Sequence, residues 1–297
     1  MVRKIFSILM GILLCFSIAS CGIAKKDITR AEEQKMQNEA LQKPLEKPKE
    51  KISNTVNNAV YTNTENLDNT LYSWGLRVLP NHQTPEITPK AMELIKKYDA
   101  IFVGDTTKKV VYLTFDEGYE AGYTPKILDI LKENNVKAAF FVTGPYVKEH
   151  ADLVKRMVEE GHIVGNHTVN HPSLPTLSDE KVKEEITKLG EMFKELTGKK
   201  MKYFRPPKGE YSERTLYLTK SLGYRTVFWS LAMADWQPLP GGPEESYNTV
   251  IRRLHPGAVI LLHAVSKDNV IALDRIIKSV KAEGYEFKTL DDIPSKM

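Results

Sequence analysis

The sequence predicts an α/β fold, a distorted (β/α) barrel of about seven strands behind a disordered N-terminal tether. Three observations predict it. Between Lys109 and Leu290, apolar runs rich in β-branched and aromatic residues alternate with stretches of helical period. The runs are short and almost continuously apolar, as strands of a doubly covered parallel sheet are. Chemistry-bearing polar residues gather just after the runs, where parallel barrels keep their active sites.

The elements follow in order. "VVYLTF" reads as a strand and "TPKILDILKENN" as a helix, with Thr124 as N-cap and Pro125 at the first helical position. "KAAFFV" is a strand, and the helix through "ADLVKRMVEEG" stops at Gly161. "HIVGN" is a strand, then "SDEKVKEEITKLGEMFKELTG" a helix capped by Ser178 or Asp179. "MKYFR" is a strand, "SERTLYLTKSLG" a helix and "RTVFWS" a strand. "SYNTVIRRL" gives a helix, "AVILLH" a strand, "DNVIALDRIIKSVKAEG" a helix and "YEFKTL" the closing strand. No internal repeat is visible.

The N-terminus has a different character. "MVRK" is a positively charged start, and "IFSILMGILLCFSI" is an apolar run of fourteen residues. That length suits a signal peptide better than a membrane span, which needs about 20 apolar residues. The run ends in "IASCG", which resembles a bacterial lipobox, so residues 1–21 are expected to be a signal peptide with Cys21 as the lipidated residue. Export to the outer face of the cytoplasmic membrane follows, or to its topological equivalent in a forespore. Residues 22–70 are polar and charged with Tyr61 as their only aromatic, too poor in apolar surface to order themselves. As a flexible linker they would span roughly 40 Å on average. "LYSWGLRVLP" opens a lead-in segment, 71–108, whose Trp74 and leucines need a packing partner on the domain that follows, 109–292. The two cysteines, Cys15 and Cys21, both lie in the leader, so the mature domain forms no internal disulfide. With 42 basic against 38 acidic residues the net charge is +4, too small and too evenly spread for a nucleic-acid partner.

The strand ends carry a polar inventory: Asp116 and Glu117 in "TFDEGYE", His167 and His171 in "NHTVNHP", Arg205 in "RPPKGEY", Asp235 and Trp236 in "ADW", and His263 closing "AVILLH". Each alone has a bland reading as a solvated loop acid, a rigid turn or a core histidine. Their convergence on one barrel face favours chemistry. Two imidazoles and a carboxylate are a familiar catalytic zinc set, leaving a second carboxylate as base for the bound water. A nearby Arg⁺ would hold that base ionised, and a histidine raised by a neighbouring Asp could protonate a leaving amine.

The ordered set "TFDEGY", "HTVNHP", "RPPKG", "ADW" and "LLH" resembles the five motifs of the polysaccharide deacetylases, carbohydrate esterases built on the NodB-homology domain. The stretches "YSWGL", "FDEGYEAGYTPKIL" and "LLHAVSKDN" look closest to the branch that de-N-acetylates N-acetylmuramic acid in peptidoglycan, leading to the muramic-δ-lactam of the spore cortex. The resemblance implies Asp116 as catalytic base, oriented by Arg205, and His263 as general acid, tuned by Asp235. It implies a divalent metal, zinc first, on Glu117, His167 and His171. Leu261 would face the acetyl methyl, Trp236 would border the sugar groove, and the backbone N–H of Tyr119 would help hold the oxyanion. Glu117 departs from the family's usual aspartate, and ligand distances tolerate only about 0.2 Å, so metal affinity and identity hang on this residue. The implied partners are a peptidoglycan strand and, through the lipid, the membrane.

Two other classes compete. A glycoside hydrolase needs two carboxylates across a sugar ring, about 5–9.5 Å apart, and gives the histidine pair no task. A non-catalytic glycan-binding protein has only Glu117 in its favour. Within the deacetylases, N-acetylglucosamine is the alternative target. His82, His150, His162 and His255 are expected to bind no metal.

Overall fold

The computed structural model describes residues 64–295. The expected signal peptide, Cys21 and the linker as far as residue 63 lie outside the described residues. Among the described residues, no helix is long and apolar enough to cross a membrane.

The strands are β1 (Tyr72–Ser73), β2 (Val110–Glu117), β3 (Ala139–Val142), β4 (Ile163–Asn166), β5 (Tyr203–Phe204), β6 (Glu210–Tyr211), β7 (Arg225–Thr226), β8 (Ala258–His263) and β9 (Glu286–Lys288). The helices are α1 (Pro89–Tyr98), α2 (Thr124–Glu133), α3 (Gly144–Glu149), α4 (Ala151–Glu159), α5 (Asp179–Thr197), α6 (Glu213–Ser221), α7 (Gly242–Arg253) and α8 (Lys267–Ala282). Seven strands form one parallel sheet in the order β7-β5-β4-β3-β2-β8, with β9 pairing β2 alongside. The sheet curls until its two ends meet. Just beyond β7, the Ser230 and Leu231 amides donate to the Val259 carbonyl, and Leu261 N–H donates to Leu231. The predicted parallel α/β barrel is therefore present in distorted form, with β5 and β7 reduced to two residues each.

Strand alternation sorts the core. Val111, Leu113 and Phe115 of β2 and Ala258, Ile260 and Leu262 of β8 pack outward under the helices. Val110 and Tyr112 of β2 and Val259 of β8 point into the barrel with Phe141 and Val227. Continuing that alternation, Asp116 and His263 belong to the inner face, whereas Glu117 belongs to the helix-facing row of Phe115.

Local signals explain most helix ends. Ser178 and Ser212 cap α5 and α6 through their hydroxyls, the latter in a capping box with Thr215. Thr124 differs from expectation: Tyr123 is the N-cap and makes no side-chain capping bond, and Thr124 is already helical, with its hydroxyl committed elsewhere. The helix expected through "ADLVKRMVEEG" is preceded by α3, a separate turn broken at His150.

The lead-in segment packs as expected and carries α1. Its Trp74 stacks on Phe228 at 4.2 Å between centroids, in a cluster with Leu94, Phe102 and Tyr211. Packed contacts begin ahead of Leu71, because Asn69 bonds the Pro175 carbonyl and accepts from Ser212. Trp74→Ala should cost about 3–5 kcal/mol of stability, the usual range for truncating a packed aromatic. Denaturant unfolding measures this; a loss below about 1 kcal/mol would show that the lead-in segment is not part of the cooperative unit.

Candidate active site

A groove with a cavity of about 480 Å³ opens at the C-terminal end of the sheet. Asp116, Tyr119, His167, His171, Trp236, Leu261 and His263 all line it, so seven of the residues singled out from sequence share one wall. Arg205 and Asp235 sit directly behind that wall.

Asp116, next to last in β2, stands opposite His263 of the neighbouring β8. Arg205 is fully buried and donates from Nη1 to Asp116 Oδ1 at 2.7 Å. Its other donors go to Thr114 Oγ1, 2.9 Å, and to the carbonyls of Val227 and Phe228, and the guanidinium lies 4.1 Å over the Phe141 ring. Burial alone would raise the Asp116 carboxyl. The charge of Arg205 and the imidazoles of His167 and His263 outweigh it and hold Asp116 below the ordinary carboxylate range.

The imidazole pair comes from the loop after β4. Thr168 and His171 both adopt left-handed backbone, φ 67° and 56°, and the His171 amide donates to Thr168 Oγ1. That sharp return sets the two rings 4.7 Å apart. His167 Nδ1–H donates to the Arg205 carbonyl at 2.8 Å, leaving the Nε2 lone pair facing the groove, 3.5 Å from Asp116 Oδ2. Burial pushes the pKa of His167 down to about 4 and lowers that of His171, so both rings are neutral near pH 7. Two neutral imidazoles, one with its tautomer fixed from behind, are donors suited to a divalent ion such as zinc.

Glu117 does not join them. Its carboxylate is wholly buried on the helix-facing side, where Thr124 Oγ1 reaches both of its oxygens at 3.3 Å. Tyr146 O–H donates to that same hydroxyl at 3.1 Å and to Glu120 at 3.0 Å. Burial, and next the Glu120 charge, push the Glu117 carboxyl well above its ordinary range. Among the described residues, no group of three or more His, Cys, Asp or Glu is arranged to hold a metal ion. The expectation of Glu117 as a metal ligand is not met, because adjacent residues of one strand point to opposite faces. The part of the donor set that fits a metal is His167 with His171.

His263 Nδ1–H donates to Asp235 Oδ1 at 2.7 Å, and the His263 amide donates to Asp235 Oδ2 at 2.9 Å. Burial would lower His263, but the bond to Asp235 and its charge prevail and raise the imidazole above its ordinary value. Trp236 is exposed and stands edge-on to the His263 ring at 5.3 Å. The amide of Tyr119 has no acceptor among the described residues and lies at the groove edge.

Sequence reasoning missed Asn269. In the first turn of α8, it is buried and donates from Nδ2 to Asp235 Oδ2 and, at 3.2 Å, to the His263 carbonyl. Ser246 O–H on α7 donates to Asn269 Oδ1 at 2.7 Å and fixes the amide's orientation. An asparagine inside an amphipathic run gives no signal of this. His162 and His255 are buried, with ring nitrogens bonded to the Ala138 amide and to Ser230 and the Arg253 carbonyl, and neither lines the groove.

A barrel mouth that pairs an arginine-held carboxylate with a carboxylate-held imidazole on adjacent strands defines a hydrolase of acyl groups. The chain belongs to the polysaccharide deacetylase family. The family's sequence profile, "polysaccharide deacetylase", matches residues 103–227. The chain is 47% identical over 231 residues to the peptidoglycan-N-acetylmuramic acid deacetylase PdaA of Bacillus subtilis, covering 77% of this chain and 88% of that protein. It is 38% identical over 200 residues to a peptidoglycan-N-acetylglucosamine deacetylase of Bacillus cereus, covering 66% of this chain and 72% of the relative. The solved structure of Bacillus subtilis PdaA, a family 4 carbohydrate esterase, superposes with a TM-score of 0.73 at 46% identity, over 76% of this chain and 98% of that one.

The Asn269 bonds generate a prediction. Asn269→Ala should slow amide deacetylation by roughly tenfold, a fraction of the ~10²–10⁴ that general acid catalysis contributes. Hydrolysis of 4-nitrophenyl acetate, whose leaving group needs no proton, should change far less. Equal losses on both substrates would mean that Asn269 only supports the fold.

Proposed function

We propose that this chain de-N-acetylates N-acetylmuramic acid in peptidoglycan glycan strands. The observation that carries the reading is the pairing of Asp116, held ionised by Arg205, with His263, whose proton affinity Asp235 raises, on adjacent strands in one groove. The two PdaA likenesses support the choice of sugar.

In the mechanism, Asp116 takes a proton from water as the oxygen adds to the acetyl carbon. The guanidinium of Arg205 keeps that carboxylate from swinging away and from protonating in the resting site. The developing oxyanion meets the free N–H of Tyr119 at the groove edge. His263 gives its Nε2 proton to the amide nitrogen, the carbon–nitrogen bond breaks, and acetate and a sugar amine are formed. The bond to Asp235 raises the pKa of His263, so the protonated ring persists to higher pH than an ordinary imidazole; activity should decline as pH rises through the His263 pKa. Leu261 in the wall offers an apolar contact for the acetyl methyl, and Trp236 a face for the sugar. His167 and His171 would hold a divalent metal, zinc by their chemistry, which when bound supplies a Lewis acid for the carbonyl oxygen. The freed amine lies on the ring carbon next to the lactyl ether, so the product is set up for closure to a muramic δ-lactam in a separate step.

Mass spectrometry of purified glycan strands after incubation tests the reading: loss of acetyl from muramic acid without chain cleavage is expected. Loss confined to glucosamine would move the target, and binding without acetate release would favour a glycan-binding protein. Asp116→Asn should nearly abolish turnover while His167 and His171 still take up zinc, and His263→Ala should lower the rate by about 10²–10⁴ without loss of zinc. Glu117→Gln should leave zinc uptake at the wild-type level, as read by calorimetry. Loss of zinc in that variant would restore Glu117 to the ligand set.

Export with lipid attachment at Cys21 is proposed as the route to the substrate. Cys21→Ser should shift the protein from the membrane fraction to the medium, or leave it unprocessed, with the domain still active. A native N-terminus that maps elsewhere and bears no lipid would overturn this.

A further inference from the structure

We infer that a second cavity, beside the groove and under the lead-in segment, is a subsite for the sugar joined to the reacting muramic acid. This rests on the reading of the groove as a muramic acid deacetylase site.

The second cavity has a volume of about 220 Å³, on the scale of a single sugar residue. Trp229 and Ala232 line both it and the groove, so the two meet at one indole. One wall is the seam where the sheet closes, at Ser230 and Leu231. The other is the lead-in loop, through Leu76, Leu79 and Gln83.

That loop is held in place by specific bonds. Arg77 and Glu86 exchange both backbone hydrogen bonds, at 2.8 and 3.0 Å, and close it at its base. At the tip, Asn81 and His82 are both left-handed, φ 57° and 56°. Such backbone is strained in residues other than glycine and persists where contacts impose it, often at functional sites. The contact here is His82 Nδ1–H, which donates to the Leu254 carbonyl at 2.7 Å and ties the tip to the end of α7. Gln83, the next residue, is thereby set against the cavity.

Two polar side chains of the lining have donors to spare. Arg253 gives Nη1–H to the Ala232 carbonyl at 2.9 Å, and its other guanidinium nitrogens have no acceptor among the described residues. Gln83 is exposed, and its side-chain amide has no partner among them either. An indole and aliphatic walls with a few convergent donors make a site for a ligand that is apolar on its ring faces and polar at its edge. A sugar has that character: its C–H faces lie against the apolar wall, and its hydroxyls and acetamide accept the hydrogen bonds.

The substrate decides which sugar. Within a peptidoglycan strand each muramic acid is linked on both sides to N-acetylglucosamine. With the muramyl acetamide at Asp116, a neighbour must leave the groove beside it, and the cavity across Trp229 receives one.

The test compares the methyl glycoside of N-acetylmuramic acid with the two disaccharides that carry N-acetylglucosamine on one side of it or the other. Wild type should favour at least one disaccharide over the methyl glycoside, through KM. In the double variant Gln83→Ala with Arg253→Gln, that preference should fall roughly tenfold or more, as expected for lost hydrogen bonds that include one from a charged group. Gln83→Ala alone should lose part of it, and keeps the test open if the double variant unfolds at a lower temperature than wild type. No wild-type preference for either disaccharide, or a preference unchanged in the folded variants, overturns the subsite alone. A preference seen only for muramic acid bearing a peptide, and lost in the variants, gives the cavity to the peptide and overturns the sugar assignment. Wild type that deacetylates glucosamine and no muramic acid overturns the subsite together with the substrate reading.

Discussion

The site depends on one buried ion pair. Arg205 is wholly enclosed inside the barrel, and a charge there is tolerated because each of its three nitrogens donates to an acceptor: Asp116, Thr114 and two backbone carbonyls. Such a pair is poor evidence of net stability, since desolvating both charges offsets most of their attraction. Its effect is positional. Through its side chain Arg205 fixes Asp116 on β2, and through its carbonyl it fixes the His167 tautomer on the β4 loop. One residue at the end of β5 thus aligns both the expected base and the expected metal donor. The strand β5 is only two residues long, yet it cannot drift without unpairing a buried guanidinium.

The second half of the groove is built by the same logic with different groups. Asp235 accepts from the His263 ring, the His263 amide and Asn269, so both of its oxygens are engaged before any substrate arrives. A base held by a cation and an acid held by an anion set their proton affinities in opposite directions from neighbouring positions of β2 and β8. Each charge is matched first by its own partner, and the two reinforce one another, since His263 helps lower Asp116 and Asp116 helps raise His263.

Much of this was legible in the sequence. Barrel alternation is a one-dimensional signal, and Asp116, His167, His171, Arg205, Asp235 and His263 all stand at strand ends that the hydrophobic pattern locates. The illegible parts depend on contacts between distant segments. Asn269 reaches Asp235 from the first turn of a helix whose pattern gives no hint of it. The left-handed turn at Lys208 and Gly209 packs against Trp74, far away in the chain and brought there by the antiparallel pairing of β1 with β6 and the Trp74 amide bond to the Gly209 carbonyl. The short strands β5 and β7 read longer in sequence because their apolar residues continue past the ladder into the barrel wall, as Val227 and Phe228 do.

Glu117 shows how a single residue separates motif from geometry. Motif logic treats the two acids of "TFDEGYE" as neighbours serving one site, but the strand turns them to opposite faces. On the outer face the longer side chain has its own reason to be there. The Thr124 hydroxyl stands 3.3 Å from both Glu117 oxygens, already at the long end of a hydrogen bond. An aspartate, shorter by one carbon–carbon bond of roughly 1.5 Å, would fall out of reach and leave a carboxyl buried without a donor. A glutamate there ties the end of β2 to the start of α2, and the loop between them carries Tyr119. The acid that departs from the family's pattern is thus accounted for as a strut beneath the groove edge, with the chemistry left to Asp116 and the imidazoles.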